Sequence, residues 1–144
     1  MSSIPKENPK DAIGSNKFPL HIWPSSATMY GAIGLLDGCL KYGRMNWRKA
    51  GIRASIYYDA INRHLNAWFE GEEIDPDSGL HHLCHALASL AIIVDAKEAS
   101  KLIDDRNYPA KYRDTIDSLT KEVKRLKELH SKKSSKHFTI KDKE

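Results

Sequence analysis

Apolar residues recur along this chain at intervals of three and four, the period of an amphipathic helix, in four separate stretches. In the first, Ala27 to Tyr42, the positions Met29, Ile33, Leu36 and Leu40 form one stripe. Ser25 or Ser26 is placed to cap its start, and Gly43 to end it. In the second, from about Ile52 to Glu70, Tyr57, Ile61, His64, Leu65 and Trp68 share one side, and Asp59, Arg63, Asn66 and Glu70 another. The third, Gly79 to about Ala96, is apolar nearly all round, as a helix surrounded by its neighbours must be. The fourth begins near Ala110 and sets Tyr112, Ile116, Leu119, Val123 and Leu126 at alternating spacings of four and three. That is a narrow seam of coiled-coil type, suited to the edge of a bundle or to another subunit. No stretch reads as a convincing strand. The pattern predicts an all-α fold, most simply a four-helix bundle.

The segments between are equally legible. Residues 1–16, rich in Pro, Asn and Lys, read as a flexible leader, and Lys17 to Pro24 (KFPLHIWP) as an extended apolar stretch closed by proline. Arg44 to Gly51 reads as a loop. Gly71 to Ser78 is an acidic connection whose Asp-Pro-Asp-Ser end signals a turn and a helix start. Asp105 to Pro109 breaks the chain again. Residues 17–130 are then one helical domain, followed by a basic tail over 131–144.

Charge sharpens the last point. The net charge is +4, but residues 121–144 hold nine Lys/Arg against four Asp/Glu, and the preceding 120 residues are at −1. The basicity belongs to the tail, which carries a single aromatic, Phe138, and lacks the interleaved rings of a single-strand binder. Specific nucleic-acid recognition is therefore disfavoured. No apolar run reaches 18 residues and the N-terminus has no apolar signal core, so neither a membrane span nor secretion is expected. Cys39 and Cys84 lie in apolar stretches and read as small buried hydrophobes in a reducing, cytoplasmic setting. The seam of the fourth helix predicts a homo-oligomer, dimer or tetramer.

The chain has no GxxxxGK[ST], GxSxG, HExxH or CxxC. What remains is a concentration of polar groups around the second and third helices. Glu70, Glu72, Glu73, Asp75 and Asp77 put five carboxylates into eight residues. Hard cations need oxygen ligands, which such a turn supplies; an acidic, solvated helix start is the competing reading. His82 and His85 lie on one face of the third helix just beyond. In an antiparallel hairpin His64 falls at the depth of His85, and Trp68 at that of His82. Buried imidazoles need partners, and the carboxylates are the nearest supply. His81 faces elsewhere and reads as a surface residue. Arg63 suits a phosphate or an ion pair with Asp59. Lys41, Asn46, Trp47 and Lys49 form a second cluster: lysines for phosphates, asparagine for a base edge, tryptophan for stacking or plain core.

Taken in order, Lys41-Tyr42-Gly43, Asn46-Trp47, Arg63-His64, Ala67-Trp68, Gly71-Glu72, and Asp75 through Ser78-Gly79 to His82 and His85-Ala86 resemble the phage-type dATP/dGTP diphosphohydrolase family. The match spans roughly residues 17–96. That family looks related to the MazG-like all-α nucleotide pyrophosphohydrolases, and the chain is similar to the MazZ proteins of phages that replace adenine with 2-aminoadenine. The resemblance implies cleavage of a purine (d)NTP, (d)GTP before dATP, between the α and β phosphates. Products would be a monophosphate and pyrophosphate, with dGMP entering 2-aminoadenine nucleotide synthesis.

It also implies a divalent metal, Mg²⁺ or Mn²⁺, with two or more ions per site. MazG-like sites pair ExxE on one helix with ExxD on the next. Here the literal matches are Glu70-Glu73 and Asp95-Glu98, and the latter pair lies roughly 25 Å along the third helix at about 1.5 Å per residue. They cannot share an ion. Glu72 and Asp75 are therefore the expected catalytic carboxylates and, with His82, the expected metal ligands; Asp77 and His85 come next. Lys41, Lys49, Arg63 and His64 are expected at the phosphates, with Asn46 and Trp47 at the nucleoside. A nucleotide sensor without turnover, and a helical interaction module with a basic tail, are the alternatives.

Overall fold

The computed structural model describes residues 8–142; the first seven positions of the expected leader and the last two of the tail lie outside them. A short helix α1, Pro9–Gly14, starts on an Asn8 side chain that accepts from the Lys10 backbone N–H. After a single 3-10 turn at Leu20–Ile22 come α2 (Ser25–Tyr42), α3 (Asn46–Ala50), β1 (Ile52–Arg53), α4 (Ala54–Phe69), α5 (His82–Glu98), β2 (Leu102–Ile103) and α6 (Tyr112–Leu129). The all-α expectation holds. A two-residue parallel pairing of Ile52 with Leu102 and Arg53 with Ile103 is the small exception, and short helices α1 and α3 form where a flexible leader and a loop are expected. All three are too short to leave a periodic signal.

Helix α5 packs against both α2 and α4, as its all-round apolar character requires. The α2 contact is close because the facing residues are small: Gly34 lies against the Cys84 backbone and Ala88, and Gly31 against Leu87. Within the chain three long helices pack together, and the fourth, α6, stands apart with every residue exposed. The core proper is compact: Trp47, Ile52 and Ala96, with Leu35, Tyr57, Ile92, Ile93 and Leu102 against them.

Trp47 ties that core together. It is 5% exposed, and its indole N–H donates to Asp95 at 2.7 Å. Arg48 donates twice to the same carboxylate, at 2.7 and 2.8 Å. Trp47 is built into the core, and it also lines a cavity that it shares with Asn46. Asp95 is a structural anchor for α3 on α5. Hydrogen bonds from Arg48 and then Trp47 hold its carboxyl at about 2, against an ordinary 3.8. A depressed carboxylate stabilises the fold above its unfolded value and loses that contribution as pH falls through the folded one. Asp95→Ala is therefore expected to lower Tm at neutral pH, because the buried indole N–H loses its acceptor. Its difference from the parent should shrink between pH of about 4 and about 2, in a thermal-melt series on both proteins.

Past α6 the tail returns. Phe138 and Ile140 face Trp68, Phe69 and Glu73 across a cleft of about 830 Å³ at the end of α4. Among the described residues, no helix is long and apolar enough to cross a membrane.

Candidate functional site

The acidic connection is a hinge between α4 and α5 built from local rules. Helix α4 ends on Gly71 at φ +99°, a left-handed value that favours glycine, with Gly71 N–H donating to Trp68 and Glu72 N–H to Ala67. That reversal throws Glu72 straight back toward the start of α5. Next, Asp75 gathers the turn around its own carboxylate, accepting from Ser78 Oγ at 2.8 Å, Ser78 N–H at 3.2 Å and Asp77 N–H at 3.4 Å. Backbone bonds from Asp75 N–H to Leu80 and His82 N–H to Glu73 then lock the turn onto α5.

Two hydrogen-bonded runs result. His82, 4% exposed, places Nε2 at 2.7 Å from Glu72 Oε1 and Nδ1 at 2.9 Å from His64 Nδ1. Since a carboxylate only accepts, His82 as a neutral imidazole donates from Nε2 and accepts at Nδ1. His64 must then donate from its own Nδ1, which leaves a lone pair on its Nε2. In the second run Ser78 spends its proton on Asp75, so His85 Nε2, at 2.6 Å, donates to Ser78 Oγ. The runs meet where His64 stacks on His85 with centroids 4.8 Å apart, the equal depth the hairpin geometry requires.

Electrostatics differ along the runs. Burial lowers the His64 pKa, and the neighbouring His85 and His82 push the same way, so this imidazole stays neutral to lower pH than a free one. For Asp75 burial acts upward, but the hydrogen bonds from Ser78 and Asp77, with His85 nearby, outweigh it and hold the carboxyl below its ordinary value. Asp75 is thus an anion that gives up its charge reluctantly. Glu72, half exposed, keeps an oxygen outside the His82 bond.

The other expected residues divide. Lys41 sits at the end of α2, 2.9 Å from Asp37, which pushes its ammonium above the ordinary lysine value; the field of Asp75 adds to this. Asn46, Tyr42, Tyr57, Asp37, His64 and His85 are among the residues lining one cavity of about 150 Å³ between α2, α4 and α5. Lys49 and Arg63 are exposed, and among the described residues neither holds an ion pair, the Arg63–Asp59 pair included. Asp77 gives its N–H to Asp75, while its own carboxylate stays in solvent. The site also takes in two residues the spacing did not mark. Ser78 bridges Asp75 and His85. His81, expected at the surface, is instead partly covered: it packs beside Tyr30 and caps α5 by accepting from Leu83 N–H at 3.0 Å. The Asp-x-x-Ser turn was the available signal for Ser78; nothing in the sequence marks a histidine as a cap.

Among the described residues, no three His, Cys, Asp or Glu side chains converge as a ready-made metal centre. The reason is in the bonds above. Of the five expected ligands, Glu72 and His82 hold each other, Asp75 and His85 hold Ser78, and Asp77 points away. The donors are of the right kind for a hard cation; His82, Asp75 and His85 are engaged in these bonds, while Glu72 keeps one oxygen and Asp77 its carboxylate open to solvent.

The family model described as dATP/dGTP diphosphohydrolase, N-terminal, matches residues 7–106. A protein of Salmonella phage PMBT28, named dATP/dGTP diphosphohydrolase, is 33% identical over 94 residues, covering 65% of this chain and 32% of the phage protein. The chain thus spans about a third of the length of that relative. No solved structure matches it. Helix α6 and the tail lie outside the matched region.

Proposed function

The chain belongs to the dATP/dGTP diphosphohydrolase family, and from that premise we propose that it hydrolyses a purine nucleoside triphosphate, dGTP before dATP, to the monophosphate and pyrophosphate. The observation that carries this reading is the pairing of two differently held carboxylates, Glu72 on His82 and Asp75 on Ser78, around the His64–His85 stack at the α4–α5 turn. Hydrolysis at phosphorus needs one group to take a proton from water and others to hold charge. Glu72, with a free oxygen in contact with solvent, takes the proton. Asp75, kept ionised by Ser78 and Asp77, is the poorer base and serves as a fixed negative edge.

Water adds to the α-phosphorus, the bond to the α–β bridging oxygen breaks, and pyrophosphate leaves with that oxygen. Mg²⁺ or Mn²⁺, arriving on the triphosphate as part of the substrate complex, neutralises phosphate charge. Lys41, Lys49 and Arg63 contribute positive charge at the phosphates. The cavity beside Asn46, Tyr42 and Tyr57 is smaller than the roughly 300–1,000 Å³ of a complete ligand site, so it takes one end of the nucleotide and leaves the rest outside. The enzyme works in the host cytoplasm as a homo-oligomer, dimer or tetramer, and its dGMP feeds 2-aminoadenine nucleotide synthesis.

Each common ribo- and deoxyribonucleoside triphosphate, incubated with Mg²⁺ or Mn²⁺ and resolved by ion exchange, tests the reading. The expected result is dGMP and pyrophosphate from dGTP, abolished by EDTA and restored by either ion. Orthophosphate as the product would overturn the cleavage position. Nucleotide binding without turnover would favour a sensor on the same scaffold. Loss of binding on removing residues 131–144 would favour the interaction module.

A further inference from the structure

We propose that α6 pairs with α6 of a second copy of this chain as a parallel, two-stranded coiled coil. This deepens the oligomeric part of the reading above by naming the contact, and it does not depend on the hydrolytic part. Helix α6 carries a continuous apolar seam, Tyr112, Ile116, Leu119, Val123 and Leu126, every member 40% exposed or more. The segment 107–111 flanks the seam but leaves a cleft of about 840 Å³ open beside it. A helix with one apolar stripe and no packed neighbour has its hydrophobic surface uncovered.

The spacing identifies the occupant as another helix. With Ile116 and Val123 at the first core position of each heptad, Leu119 and Leu126 fall at the fourth. β-branched residues at the first and leucine at the fourth favour two strands in parallel. Charge settles the orientation. In a parallel pair the residue preceding the core position reaches the partner five residues on, so Glu122 meets the partner's Lys127. The single chain already uses Glu122 toward Arg125 at 2.7 Å, and its carboxylate has room to accept from both. With the same seam in register, an antiparallel pair would set Glu122 against the partner's Glu122 and Arg113 against the partner's Lys127. Both contacts are repulsive, and the sequence selects against that arrangement.

The test uses the full chain carrying Ile116→Cys and Leu126→Cys together, oxidised and mapped by mass spectrometry. The expected disulfides join 116 to 116 and 126 to 126 between copies; 116 joined to 126 would establish the antiparallel pair and overturn the proposal. Sedimentation of Glu122→Lys should show a dissociation constant raised about tenfold, with Glu122→Lys/Lys127→Glu restoring it. Because Val123 is half exposed and no other helix packs extensively on α6, Val123→Asp leaves the fold intact, as circular dichroism would verify. If Val123→Asp leaves the oligomer unchanged, another face forms it and α6 does not. Nucleotide turnover, assayed separately, reports on the hydrolase reading whatever α6 does.

Discussion

Glu72→Gln is expected to reduce kcat on dGTP by a factor of about 10²–10³, with little change in KM and no change in fold. The amide keeps the shape and a hydrogen-bonding contact with His82, but it cannot take a proton from water. Because Glu72 is half exposed and makes one side-chain contact, its loss should leave Tm nearly where it was. Asp75→Asn acts differently. This residue holds the turn together through Ser78 and Asp77 and faces His85 at 3.5 Å, so the variant should lower kcat about tenfold, raise KM and lower Tm together. The contrast is the test: one variant silent in stability and severe in turnover, the other mild in turnover and visible in both. If both variants retain full turnover, the chemistry does not occur at this turn and the hydrolytic assignment falls.

Gly34→Ala should be the most destabilising small substitution in the chain. A Cβ built on Gly34 would lie 2.3 Å from the Cys84 carbonyl oxygen and 2.7 Å from its carbon, with Ala88 Cβ at 3.3 Å. The first two are backbone atoms inside α5, so no side chain can turn aside; α2 and α5 must move apart. Overpacking of this kind costs about 3 kcal/mol, or about 10 °C in Tm for a chain of this length. Gly38→Ala, four residues along the same helix, meets nothing within 4 Å. It should hold or raise Tm, since alanine is favoured over glycine in a helix interior by about 1 kcal/mol. Differential scanning calorimetry of the two variants decides the matter. Equal melting temperatures would mean that the Gly34 contact does not set the approach of α2 to α5.

Much of the architecture was legible because periodicity is a local property. The four long helices follow from residues spaced three and four apart, and the central place of α5 from its lack of a polar side. The hairpin about residues 71–78 fixes depth by counting, which is why the equal depth of His64 and His85 is legible in the sequence, while their ring stacking is not. Trp47 was not. Its burial depends on Asp95, 48 positions away, and on a short α3 that carries no period. The coil segment that sequence suggests for residues 44–51 becomes ordered because Arg48 and Trp47 are both claimed by that one carboxylate.

The candidate site shows the same division. Residue type and spacing placed carboxylates and imidazoles at one turn, because an acidic connection between two helices brings their ends together whatever else happens. They did not determine which group holds which. Glu72 pairs with His82 rather than Asp75 because Gly71 reverses the chain, and Asp75 turns inward because Ser78 answers it. By itself the sequence determined the helices, their order, the acidic hinge and the heptad along α6. Only the tertiary structure decided the hydrogen-bond partners, the core role of Trp47 and the standing apart of α6. Periodicity and composition act over one or two turns of a helix, whereas a hydrogen bond between distant residues exists only once the whole chain has brought its donor and acceptor within 3 Å.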